Sequence, residues 1–185
     1  MNIGVDVTVS SDLDVLSDAD ALVIPGVGSF GVAMDNLSFF SDVIAEHVSC
    51  DKPLLGICLG LQVLFGSSDE SPGVSGLNIF EGNVCRFDLD SSFKIPHMGW
   101  NRISVNDSDI NNVSVLEGLD GEFMYFVHSF YVNPVDVDIV TSFTSYGLDV
   151  PASVGVGNVC ALQFHPEKSG SAGLSILRNF VGLLD

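Results

Sequence analysis

An α/β fold, with a mostly parallel central sheet flanked by helices and additional antiparallel β segments in the middle of the chain, is predicted by three observations. Apolar runs near residues 21–24, 53–57 and 159–164 read as buried strands, and each passes into a polar or glycine-bearing segment where the strand should end. Across residues 83–150, short β-rich segments alternate with Asn, Asp and Gly turns, the pattern of continued sheet and hairpins. From Ser169 to Leu184, the residues Leu174, Ile176, Leu177, Phe180, Val181 and Leu184 mark a terminal amphipathic helix. With 185 residues, 46% hydrophobic composition and no internal repeat, the chain reads as one domain over 1–185.

Taken in order, Val5, Val7 and Val9 alternate as a strand does. The next strand, at Ala21-Leu22-Val23-Ile24, runs into Pro25-Gly26-Val27-Gly28-Ser29-Phe30. Glycines allow the backbone close approach, so the Gly26-Val27-Gly28 peptide groups are candidate donors to an oxyanion. A phosphate-binding loop is the competing functional reading, but neither a Gly-Lys-Ser/Thr ending nor Gly-x-Gly-x-x-Gly follows. Pro53 to Gln62 is an apolar run that ends in Cys58, held between Gly56 and Gly60, and then becomes helical. That is the pattern of a nucleophile elbow, in which a Cβ beside the turn would collide with it. The first helical N–H groups and the helix dipole are expected to favour a Cys58 thiolate, and the amide of Leu59 is a second oxyanion donor. Taken alone, this segment is equally consistent with a buried, inert cysteine.

Residues 67–73 and 88–92 read as surface loops. The strand at 159–164 places His165 at its carboxyl edge, and Pro166 presses His165 towards an extended conformation, so that His165 and Glu167 reach one region. A neutral imidazole can take a thiol proton while a carboxylate on its other nitrogen fixes tautomer and orientation. Cys58, His165 and Glu167 therefore form a candidate triad. His97 and His128 lack a second ligand at helical or knuckle spacing and read as structural histidines. No metal or cofactor is called for.

The net charge is −18, from 24 acidic and 6 basic residues spread along the whole chain. Such a surface repels nucleic acid and anionic membranes, and the even spread points to a halophilic cytoplasm rather than one acidic docking patch. Folding and activity are expected to need molar salt. The four cysteines, at 50, 58, 85 and 160, form no Cys-x-x-Cys pair, as expected of reduced thiols in a cytosol. No apolar stretch approaches the roughly 20 residues that span a bilayer, and the first residues do not read as a signal peptide.

Five ordered segments resemble the class I, triad-type glutamine amidotransferases: 25–30, 56–62, 163–169, Lys94-Ile95-Pro96-His97-Met98-Gly99-Trp100-Asn101, and Tyr125-Phe126-Val127-His128-Ser129-Phe130-Tyr131. The last two are most similar to the glutaminase subunits of imidazole glycerol phosphate synthase. The resemblance implies a glutamine amidotransferase-like fold in which Cys58 attacks the glutamine carboxamide and His165 protonates the departing ammonia. It implies that Gly28, Gln62 and the backbone of His128, Ser129 and Phe130 hold the substrate. It also implies a heterodimer in which His97, Trp100, Asn101, Tyr131 and Lys168 face a (β/α)₈-barrel cyclase subunit that receives the ammonia for histidine biosynthesis. The glutaminase of another synthase, or a silent regulatory subunit, are the alternatives. Family members open with a further strand and helix ahead of the segment matching Asn2 to Val7, so this sequence reads as shortened, with Val5 to Ser10 expected to lie without a neighbouring strand.

Overall fold

A computed structural model describes residues 3–106 and 114–184. Residues 5–10 join no sheet, with Val7 81% and Val9 98% exposed. This corrects the strand expected there: alternating valines favour extended backbone, but a strand needs a neighbour for its N–H and C=O groups. The first element, α1 (Leu13–Asp18), starts where the Asp12 carboxylate accepts the Asp14 N–H at 3.0 Å.

There follow β1 (Leu22–Ile24), α2 (Phe30–Leu37), α3 (Ser41–Ser49), β2 (Leu54–Ile57), the single turn α4 (Leu59–Gln62), β3 (Phe65–Ser68) and β4 (Phe80–Arg86). Next come β5 (His97–Arg102), β6 (Ser104–Val105), β7 (Phe123–His128), β8 (Phe130–Pro134), β9 (Val140–Ser145), β10 (Asp149–Val156), β11 (Val159–Leu162) and α5 (Gly170–Val181).

Six strands form the central sheet in the order β1-β2-β11-β10-β9-β6. The β1/β2 and β2/β11 pairs are parallel, and the remaining pairs are antiparallel. The sheet is thus mixed: parallel in the part that carries the candidate triad, antiparallel in the β-rich later strands. Two smaller sheets, β3-β4-β8 and β5-β7, complete the β structure of the described residues.

Strands β2 and β11 are buried along their whole length, as their unbroken apolar sequence requires when both faces are covered. Because side chains alternate, Leu54 enters a core layer with Phe30, Leu61 and Phe65, while Leu55 enters the opposite layer with Phe126, Phe164, Ile176 and Phe180. Helix α5 closes this second layer with Ala172, Ile176 and Phe180; of the stripe anticipated from its sequence, Ile176 and Phe180 are buried, Leu174, Leu177 and Val181 are half-buried, and Leu184 is exposed. Beside edge strand β1 lies an apolar groove of about 360 Å³ lined by residues of β1, α2 and α3, among them Leu22, Ile24, Leu37 and Ile44.

Candidate active site

Strand β2 delivers Cys58 into a strained turn with φ 54° and ψ −102°, the left-handed side of backbone space that a non-glycine residue rarely occupies. The two glycines are there for the reason their spacing suggested. A Cβ on Gly60 would lie 1.8 Å from the Ile24 carbonyl oxygen, and one on Gly56 would lie 2.7 Å from the Gly60 oxygen. The Cys58 N–H donates to the Leu162 carbonyl at 2.7 Å, tying the turn to the end of β11.

The expected thiolate is not the resting form. Burial pushes the Cys58 thiol up to about 11 and outweighs the stabilising Leu59 amide; the nearby Glu167 charge acts in the same direction as burial. Helix α4 has only four residues, too few peptide dipoles to offset desolvation.

His165 follows β11 with φ −102° and ψ 100°, the extended geometry that Pro166 imposes. Its Nδ1 lies 2.7 Å from Glu167 Oε1. A carboxylate only accepts, so Nδ1–H donates, and in the neutral ring Nε2 carries the free lone pair. Nε2 is buried and has no hydrogen-bond partner among the described residues. Ser169, which the sequence reading did not single out, locks this segment: its Oγ donates to the His165 carbonyl at 2.6 Å and accepts the Tyr125 N–H at 3.0 Å.

The loop after β1 meets the elbow directly. The Leu59 N–H donates to the Gly26 carbonyl at 3.4 Å, so this candidate oxyanion donor is engaged within the protein. Val27 is exposed, and Gly28 sits at φ 122°. A second overlooked residue, Glu70, accepts the Phe30 N–H at 2.7 Å and so fixes the start of α2 immediately beyond the loop. Both Glu70 and Ser169 act on distant backbone, and no local pattern marked them.

Gln62, on α4, is buried, and its Nε2 donates to the Phe130 carbonyl at 3.1 Å and to Gln163 Oε1 at 3.3 Å. Gln163 in turn directs its Nε2 at Cys58 Sγ, 3.8 Å away. The elbow, the end of β11 and the β7–β8 corner, with Ser129 between the strands, are thereby joined.

The residues assigned to a partner face do not share one surface. On β5 the outward residues are Met98, Trp100 and Arg102, paired with Val127, Tyr125 and Phe123 of β7. Trp100 is 56% exposed and stands edge-on to Tyr125, and Lys168 lies 5.8 Å over the Tyr125 ring. His97 is buried and Asn101 points with it to the other face, because period-two alternation sends 97 and 101 opposite to 98 and 100. Tyr131 packs on Phe87 at 5.0 Å and belongs to β8, in a different sheet from β5 and β7. Trp100 and Lys168 thus share an exposed face, joined by Tyr125 rather than by His97, Asn101 or Tyr131.

Among the described residues, no group of three or more His, Cys, Asp or Glu side chains is arranged to hold a metal ion, and no helix is long and apolar enough to cross a membrane.

The sequence profile of the class-I glutamine amidotransferases matches residues 2–183. A protein of Methanothermobacter thermautotrophicus named imidazole glycerol phosphate synthase subunit HisH is 47% identical, over 98% of this chain and 88% of its own length. The subunit of the same name from Halobacterium salinarum is 44% identical, over 95% of this chain and 81% of its own. In fold the chain is similar to a crystal structure described as a glutamine amidotransferase, with TM-score 0.73, 22% identity, and 98% and 88% of the two chains covered. It is also similar to a structure of PurLQS from Thermotoga maritima, with TM-score 0.63, 22% identity, and 91% and 81% covered. A strained cysteine elbow beside a His-Glu pair, on a scaffold and sequence shared this extensively, makes the chain a member of the class I glutamine amidotransferases and, within them, of the HisH subunits of imidazole glycerol phosphate synthase.

Proposed function

We propose that this chain hydrolyses glutamine to glutamate and ammonia and passes the ammonia to the cyclase subunit of imidazole glycerol phosphate synthase, a (β/α)₈ barrel, as its heterodimeric partner in histidine biosynthesis. The observation that carries the reading is Cys58 at positive φ, packed against Gln163, with His165 held by Glu167 two residues further on.

Cys58 rests as a thiol, so attack requires a base. His165 Nε2 takes the thiol proton as Sγ bonds to the carboxamide carbon, and Glu167 stabilises the imidazolium that results. The tetrahedral oxyanion is met by backbone N–H groups of Leu59 and of the Gly26-Val27 loop, once the Leu59 amide leaves the Gly26 carbonyl. Collapse breaks the C–N bond, the proton on His165 goes to the leaving nitrogen, and ammonia departs from a glutamyl thioester. Water, deprotonated by His165, then cleaves the thioester and releases glutamate. Gly28, Gln62 and the backbone of His128 to Phe130 hold the substrate's amino and carboxylate groups. No step needs a cofactor.

Trp100, Tyr125, Met98 and Lys168 are the surface we assign to the cyclase, an aromatic and thioether patch of the composition found at interface cores. The acidic composition supports a cytoplasmic enzyme working in high salt. In the assembled complex, Cys58→Ala should abolish synthesis from glutamine and leave synthesis from free ammonium intact. Equal loss of both would show that the cysteine is structural.

A further inference from the structure

Two buried imidazoles that take no part in the chemistry above stand between the β5–β7 ribbon and the backbone at Phe130. The β5–β7 register sets His97 directly opposite His128, and His97 Nδ1 is 3.0 Å from His128 Nε2. His128 Nδ1 is 2.8 Å from the Phe130 carbonyl oxygen. That oxygen can only accept, so the His128 proton is on Nδ1. Burial keeps both rings neutral, pushing His97 down to about 4 and His128 down to about 3. Nε2 of His128 is then a bare lone pair, and His97 has to present Nδ1–H to it.

Nε2 of His97 becomes an acceptor, facing Asn101 Nδ2 at 3.5 Å, and the same Asn101 nitrogen donates to the Ser145 carbonyl at 2.9 Å. Each proton in the series Asn101, His97, His128, Phe130 oxygen is therefore placed by its neighbour. Rotation of the His97 ring is blocked by Phe126 and Tyr146, stacked on it at centroid distances of 4.8 and 4.0 Å. At the inner end, the Phe130 oxygen also receives Gln62 Nε2, which leads through Gln163 to Cys58 Sγ.

We propose that the His97–His128 pair is a tautomer-fixed positioning unit for glutamine hydrolysis, holding the Phe130 carbonyl, and through it the Gln62 amide, in the geometry that the substrate side of the site requires. The proposal rests on the glutaminase reading above. The hydrogen bonds of the two rings run to each other, to Asn101 and to the Phe130 carbonyl, not to Cys58 or His165, so both act through Phe130 and Gln62. A carbonyl held by two donors has a defined direction, whereas one held by Gln62 alone drifts with that side chain.

Nitrogen–proton correlation spectra of the histidine rings in the complete chain at neutral pH should show protonated Nδ1 and bare Nε2 at both positions. An Nε2–H on either ring overturns the proposal, and this result does not depend on any activity. The kinetic arm uses the complex with the cyclase and two variants: His128→Asn carries an amide nitrogen where Nδ1 was, and His128→Gln carries one where Nε2 was. His128→Gln should raise KM for glutamine about tenfold with kcat within about threefold, and His128→Asn should return KM to within about threefold of the unaltered complex. Equal KM in all three, or an Asn variant as impaired as the Gln variant, overturns it. If the Gln variant does not fold, the spectra together with the Asn variant still decide. An unaltered complex that releases no glutamate would refute the glutaminase reading while leaving the tautomer result readable.

Discussion

At Cys58, turn geometry and burial pull in different directions: the elbow sets the residue at the apex of a strained strand-to-helix turn, while the apolar surroundings hold it as a thiol near 11. Relative to an ordinary thiol near 9, the thiolate fraction at pH 8 is roughly a hundredfold smaller. Alkylation of the resting protein at pH 8, followed by peptide mass mapping, should therefore label exposed Cys50 at least tenfold faster than Cys58. The chemical identity of the candidate triad was legible from 56–62 and 163–169, because an elbow and a strand-end His-Pro-Glu are local patterns. The protonation state of its sulfur was not, because desolvation comes from side chains far along the chain, such as those of β11 and α5 that share its core layer.

Among the elements, the contact of β1 with α4 sets how closely the loop after β1 can approach Cys58, and Gly60 is what permits it. Gly60→Ala would force backbone against backbone at Ile24 and should destabilise the chain by about 3 kcal/mol or more, read as a lowered urea midpoint with an unchanged slope. Gly28→Ala meets nothing within 4 Å and carries only the strain of its positive φ, so its cost should be about 1–2 kcal/mol. Period-two alternation along His97-Met98-Gly99-Trp100-Asn101-Arg102 was visible in the sequence and already separates Trp100 from His97 and Asn101. Motif matching merged what alternation divides. Tyr125, by contrast, joins Trp100 only through the β5–β7 register, which no local signal specifies.

For the whole molecule, pH and salt act through different charges. In the unfolded chain His97 and His128 would bind protons below about 6.5, while in the folded chain they stay neutral to about 4 and about 3, so stability is complete above that range and falls as pH drops through it. Between pH 7.5 and 5.5 most carboxylates remain ionised, and urea unfolding should show a loss of roughly 2–3 kcal/mol, which His97→Phe should reduce. The charge of −18 acts separately: raising potassium chloride from dilute to molar should increase the urea midpoint steadily, and a flat response would contradict the salt requirement. The apolar strands at 21–24, 54–57 and 159–162, the glycines around Cys58 and the residues of the candidate triad were legible in the sequence itself, because periodicity and steric exclusion at a turn act between near neighbours. Only the tertiary structure decided that Cys58 rests protonated, that Tyr125 joins Trp100 on one exposed face, and that two histidines share one proton direction, because strand register, desolvation and hydrogen-bond polarity are set by groups that meet only after the chain has folded.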